Sequence, residues 1–177
     1  MNTKNLVLMA LLVGVGAALY VVTPGLVQGV RPDFMLTMMF IGILLFPTAK
    51  ETFLLCIATG IISGLFTTVP AGFIPNVVDK VVTGFVFLIV ILVLKKFVNN
   101  IVVSAILVGL GTVLSGTIFL SMALFVMGAN LGKTFAVLFA SVVLPAIAIN
   151  VVAFIVIYPI VTNLVKRSKF KTSVSQA

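Results

Sequence analysis

The chain has 177 residues, 62% of them hydrophobic, and a mean hydropathy of +1.41. Only 8% are charged, against about 25% in an average soluble domain, so a water-facing surface is excluded and the solvent is lipid. With no His and one Cys, an internal disulfide and His- or Cys-rich metal sites are excluded as well, and no cofactor is implied.

Pro, Gly, Asn and charge cluster at five places and divide the chain into six apolar spans, roughly 5–22, 33–47, 51–68, 76–97, 101–127 and 134–165. The fold class expected is all-α: a polytopic membrane bundle of about six transmembrane helices. Residues 1–165 form one domain, and 166–177 a basic cytoplasmic tail expected to be disordered. The net charge of +8 is read as topology and not as nucleic-acid binding. With the N-terminus inside, Lys4, Lys50, Lys95, Lys96, Lys166, Arg167, Lys169 and Lys171 are cytoplasmic, and Arg31, Lys80 and Lys133 external. The positive-inside rule then places both termini inside, in a multi-pass protein of the plasma membrane. The tail also suits anionic membrane lipid.

The first span carries Ala10, Gly14 and Ala18 on one face, where small side chains let another helix approach. That face serves either packing within the bundle or a partner. The second span is short for a bilayer and is expected to be buried or to continue past its ends. Asp33 follows Pro32 at its start, a place that welcomes negative charge. Thr48 and Glu51 have capping-box spacing before the third span, which carries Gly60 and Gly64 four apart. Cys56 is read as a small buried hydrophobe. Asn76 and Asp79 have capping spacing after Pro75 at the entry to the fourth span.

In the fifth and sixth spans most of Thr112, Ser115, Thr117, Ser121 and Ser141 are expected to bond back to their own helices, and Asn150 to bond across helices. Gly128-Ala-Asn-Leu-Gly-Lys-Thr134 resembles a P-loop but is one residue short and has no strand before it. Gly128 is read instead as the stop of span five and Asn130 as the entry to span six. The sixth span is long enough to tilt, kink near Pro145 or protrude.

By this topology Arg31, Asp33, Asn76, Asp79, Lys80 and Asn130 gather on the external face. A zwitterionic amino acid needs an acceptor for its ammonium and a donor for its carboxylate, and these residues carry both signs. They are the candidate substrate-binding residues; the rival reading is surface pairs that neutralise one another. The connection Val69-Pro-Ala-Gly-Phe-Ile-Pro75 is a candidate lid or wall. Phe and Met side chains would wall the slot for an apolar moiety. There are no catalytic residues to name, and an enzyme is disfavoured.

Arg31-Pro-Asp-Phe-Met-Leu-Thr-Met-Met-Phe-Ile-Gly-Ile-Leu-Leu-Phe-Pro47 and Pro70-Ala-Gly-Phe-Ile-Pro-Asn-Val-Val-Asp-Lys80 resemble blocks of the bacterial tryptophan-transport protein family, and Leu6-Val-Leu-Met-Ala10 also fits. That family is similar to the substrate-capture components of energy-coupling-factor importers. The resemblance implies tryptophan as substrate. It implies a shared membrane scaffold with ATPases as partner, docked on Ala10, Gly14 and Ala18. It also places the ligand under the loops after span one and before span four. The alternatives are capture of another small nutrient, such as a vitamin or indole compound, or an autonomous secondary carrier. The carrier class often shows inverted repeats and intramembrane ionisable groups, and the sequence displays neither. A non-transporting scaffold or regulatory membrane protein is the third alternative.

Overall fold

The computed structural model describes residues 3–23 and 33–167. They form six helices and, among the described residues, no strand: α1 (Thr3–Val22), α2 (Phe34–Leu45), α3 (Ala49–Leu65), α4 (Phe73–Val93), α5 (Ile101–Val126) and α6 (Phe135–Arg167). Helices α1, α4, α5 and α6 are long and apolar enough to cross a membrane. With 12 residues, α2 spans about 18 Å of a roughly 30 Å hydrocarbon core.

The short helix is the hub. It begins at Asp33, whose Oδ1 accepts from Leu36 N at 2.9 Å, and ends before Pro47, which cannot continue it. Every residue from Met35 to Leu45 is buried, and α2 touches all five other helices. An all-round apolar helix satisfies itself only in this way, surrounded by other helices. Phe40 packs on Phe87 with ring centroids 4.2 Å apart. The outer faces remain apolar: Leu11, Val22, Leu65, Ile89, Val93 and Phe125 are exposed. Side chains of that kind belong against lipid.

Glycines set the closest approaches. A Cβ on Gly60 would meet Val77 Cα at 2.9 Å, and one on Gly64 would meet Phe73 Cα at 3.2 Å, so the small pair on α3 lets α4 lie against it. On α1 the contact glycine is Gly16, whose Cβ would lie 3.1 Å from Met35 Cα. Ala10, Gly14 and Ala18 are all exposed, and nothing stands within 4 Å of a Cβ on Gly14. The small-residue face of α1 therefore points away from its own bundle. Cys56 is fully buried in the core.

Two local expectations change, at the starts of α3 and α4. The capping box at α3 is half made: Thr48 Oγ1 accepts from Glu51 N at 3.4 Å, but Thr48 N goes to Phe46 O. The Glu51 carboxylate instead accepts from Asn5 Nδ2 on α1 at 3.4 Å. Helix α4 starts at Phe73, before Pro75, because a proline in the first turn needs no N–H. Asn76 and Asp79 are thus helical residues and not caps. In α6 the turn Phe139–Val143 widens to π geometry just before Pro145, which is where the missing proline N–H disturbs the ladder. Gly128 does end α5, at φ 63°, with Ala129 N donating to Ala123 O at 2.9 Å.

Candidate functional site

Starting α4 at Phe73 puts Asn76, Asp79, Lys80 and Thr83 on one buried face, since residues three and four apart share a face. Asp79 and Lys80 lie two turns inside a membrane-length helix, with side chains 1% and 2% exposed. Charges in that position are costly unless paired, and they mark function by default. Here they are paired. Lys80 Nζ is 2.8 Å from Asp79 Oδ2 and 2.6 Å from Asp33 Oδ2, which enters from the start of α2. Ser115 Oγ on α5 donates to Asp79 Oδ2 at 2.9 Å, and Thr83 Oγ1 donates to Asp79 Oδ1 at 3.0 Å. Lys80 Nζ also lies 3.5 Å from Ser115 Oγ.

The two acids differ in access. Both oxygens of Asp79 are bonded and the residue is sealed, so it positions Lys80. Asp33 is 28% exposed, and its two oxygens serve Leu36 N and Lys80. Among the described residues the cluster sets two carboxyl groups against one ammonium, and Asp33 is the one open to the cavity side. An incoming ammonium meets an accessible acceptor in Asp33.

The cluster lines a cavity of about 340 Å³, a size in the roughly 300–1,000 Å³ range of small-molecule sites. Thr67, Thr68 and Val69 of the α3–α4 connection form part of its wall. The apolar lining comes from Leu36, Phe119, Leu120, Leu138, Val142 and Val143, among others. The π turn of α6 thus supplies part of the surface. Expected Met walls are absent among the described residues. Met35, Met38 and Met39 are buried with α2, Met35 accepting from Ser63 Oγ at 3.4 Å.

Of the residues singled out in the sequence, the structure brings Asp33, Asn76, Asp79 and Lys80 together at this cavity. Asn76 Nδ2 donates to Gly72 O at 2.8 Å, tying the loop to the helix. Asn130 is not among them. It is exposed in the α5–α6 connection, where its Oδ1 accepts from Gly132 N at 3.1 Å. Arg31 lies outside the described residues. Sequence reasoning missed Thr83, Ser115, Thr112 and Asn150 as parts of the site. The signal was their register: Thr83 follows Asp79 by four, and Thr112 precedes Ser115 by three. Thr112 does bond back, to Val108 O at 2.9 Å, and Asn150 does bond across helices, to Thr112 Oγ1 at 3.4 Å.

Comparison with known proteins gives a consistent picture. The family model described as "Tryptophan transporter TrpP" matches residues 2–166. The chain is 48% identical to a "Probable tryptophan transport protein" of Bacillus subtilis (strain 168), over 96% of this chain and 97% of that one. It is 38% identical to proteins of the same description from Clostridium acetobutylicum (89% and 91% covered) and Clostridium perfringens (94% and 96% covered). No solved structure matches.

Proposed function

The chain belongs to the tryptophan transporter family TrpP, and on that premise we propose that it binds tryptophan in the cavity beside Lys80 and carries it into the cell. The observation that carries this reading is the Asp33–Lys80–Asp79 cluster, a buried Lys–Asp pair joined by a more accessible acid on the wall of a cavity of small-molecule size. Asp33, the accessible acid, receives the ammonium. Lys80 receives the carboxylate, which takes the place Asp33 held. That exchange of partners leaves no charge unpaired at any stage, which is what a low-dielectric site requires. Asp79 and Ser115 hold the Lys80 ammonium in place throughout, and Thr83 steadies Asp79. The indole lies against Phe119 and the leucines and valines.

The orientation proposed has both termini in the cytoplasm of a cell whose plasma membrane the bundle spans. Lys80 belongs to the site and not to an external loop. Among the counted cations, that leaves only Arg31 and Lys133 outside, and the inside bias grows. Energy comes from a partner complex with ATPase subunits. The exposed face of Ala10, Gly14 and Ala18 supports this, since it is smooth and not used within the bundle.

One observation favours an autonomous secondary carrier instead. Asp79 and Lys80 are intramembrane ionisable groups, which the sequence had suggested were confined to span ends. Uptake of labelled tryptophan separates the two. Expressed in cells unable to make tryptophan, the chain should restore uptake. In proteoliposomes holding the chain alone, no gradient-driven uptake is expected. Uptake there that collapses with the ion gradient would replace the partner-driven reading with the carrier.

A further inference from the structure

Asn150 on α6 is fully buried and lines the same cavity. Its amide has a determined sense. Thr112 Oγ1 gives its one hydrogen to Val108 O at 2.9 Å, so toward Asn150 it can only accept. The NH2 group of Asn150 must therefore face Thr112, at 3.4 Å. Oδ1 is left over, and it has no hydrogen-bond partner among the described residues. A buried acceptor without a donor is costly; Asn5, Thr52, Thr59 and Ser141 also hold one such atom each, but of these five residues Asn150 alone lines the cavity, where a donor arriving with a ligand would satisfy it.

The position is right for one such donor. Thr112 and Ser115 are three residues apart on α5 and hence about 5–6 Å apart on one face. Ser115 holds the charged cluster and Thr112 holds Asn150. The two polar ends of the cavity thus sit on neighbouring turns of one helix, with apolar side chains around them. Tryptophan carries its indole N–H a few bonds from its ionised end. Phenylalanine has no donor on its ring, and tyrosine carries its hydroxyl at the far tip. We propose that Asn150 Oδ1 accepts the indole N–H of bound tryptophan and is the residue by which the cavity selects an indole over other aromatic amino acids. This rests on the tryptophan reading of the cavity above.

The test compares tryptophan with 3-benzothienylalanine, in which sulfur replaces the ring N–H at nearly the same shape. Both are titrated into purified protein by calorimetry. The wild-type chain should prefer tryptophan by roughly two- to tenfold, the net worth of one hydrogen bond. In Asn150→Leu the preference should vanish, with the isostere bound as well as before; that retained binding shows the cavity intact. Asn150→Ala provides the same comparison should the leucine variant fail to fold. Equal affinities in the wild type, or a preference that survives both substitutions, overturn the assignment of Asn150 while leaving tryptophan binding standing. If folded wild-type protein binds neither compound, the tryptophan reading itself falls, and the role of Asn150 with it.

Discussion

Lys80 Nζ lies 2.6 Å from Asp33 Oδ2, although the two residues are 47 positions apart and on different helices. The same carboxylate caps α2 through its other oxygen. Charge and cap are therefore separable by substitution. Asp33→Asn keeps a good N-cap but loses the charge, so it should weaken tryptophan binding by roughly tenfold or more with little loss of stability. Asp33→Ala loses both, at an added cost of about 0.5–2 kcal/mol. Thermal unfolding in detergent beside a tryptophan titration reads both effects. Equal stability of the two variants would show that the cap is idle.

Removing Lys80 strands Asp79, which is 1% exposed and pairs with no other cation among the described residues. Breaking a buried pair from one side costs about 3–5 kcal/mol, more than deleting both charges. Lys80→Met should therefore unfold well before wild type, and Lys80→Met with Asp79→Asn should recover part of the difference. A double variant no more stable than the single one would mean that Asp79 does not need its partner.

At Gly84, an added Cβ would collide with Cys56 Sγ in the core. Overpacking of this kind costs about 1–3 kcal/mol. Gly84→Ala should lower the melting temperature, and adding Cys56→Ala, which removes the sulfur, should restore most of it. Failure of that rescue would place the strain elsewhere. Neither residue lines the cavity, so tryptophan affinity should be nearly unchanged in the double variant.

Two glycines on α1 should behave oppositely. Gly16→Leu drives a side chain into Met35 and should separate α1 from α2, with loss of stability. Gly14→Leu meets open space and should leave both melting temperature and tryptophan affinity as they were. If the exposed face docks a partner, Gly14→Leu should nonetheless reduce uptake in cells severalfold. Normal uptake in that variant would remove the face of Ala10, Gly14 and Ala18 from the mechanism.

The helices were legible because apolar runs and breakers leave little choice in a chain that is 62% hydrophobic. A face for close helix packing on α3 was legible too, in Gly60 and Gly64, though not that α4 fills it. Which small face of α1 packs inward was not: Gly14 and Gly16 differ only in register, and Met35 decides it from another helix. The candidate site was half visible. Asp33, Asn76, Asp79 and Lys80 stood out as rare polar residues near span ends, and external topology grouped them. Their depth was hidden because Pro75 looks like a helix start, whereas α4 takes it into its first turn. Ser115 and Asn150 looked like ordinary polar residues of spans. What sets them apart is a partner on another helix, and one sequence does not display that. Asn130 looked equivalent to Asn76 but bonds only its own loop.

The most direct measurement uses the protein's lack of tryptophan. Added tryptophan, excited beyond the absorption of the two tyrosines, reports its own binding through emission shift and anisotropy. Wild-type chain and Asp79→Ala would be titrated side by side in mild detergent, with folding checked by thermal unfolding. Saturable binding to the wild type, lost in folded Asp79→Ala, is the expected result, because Lys80 then has only Asp33 to hold it. Binding of equal strength in both would contradict the placement of the site at this cluster, and no binding to folded wild type would contradict tryptophan capture itself.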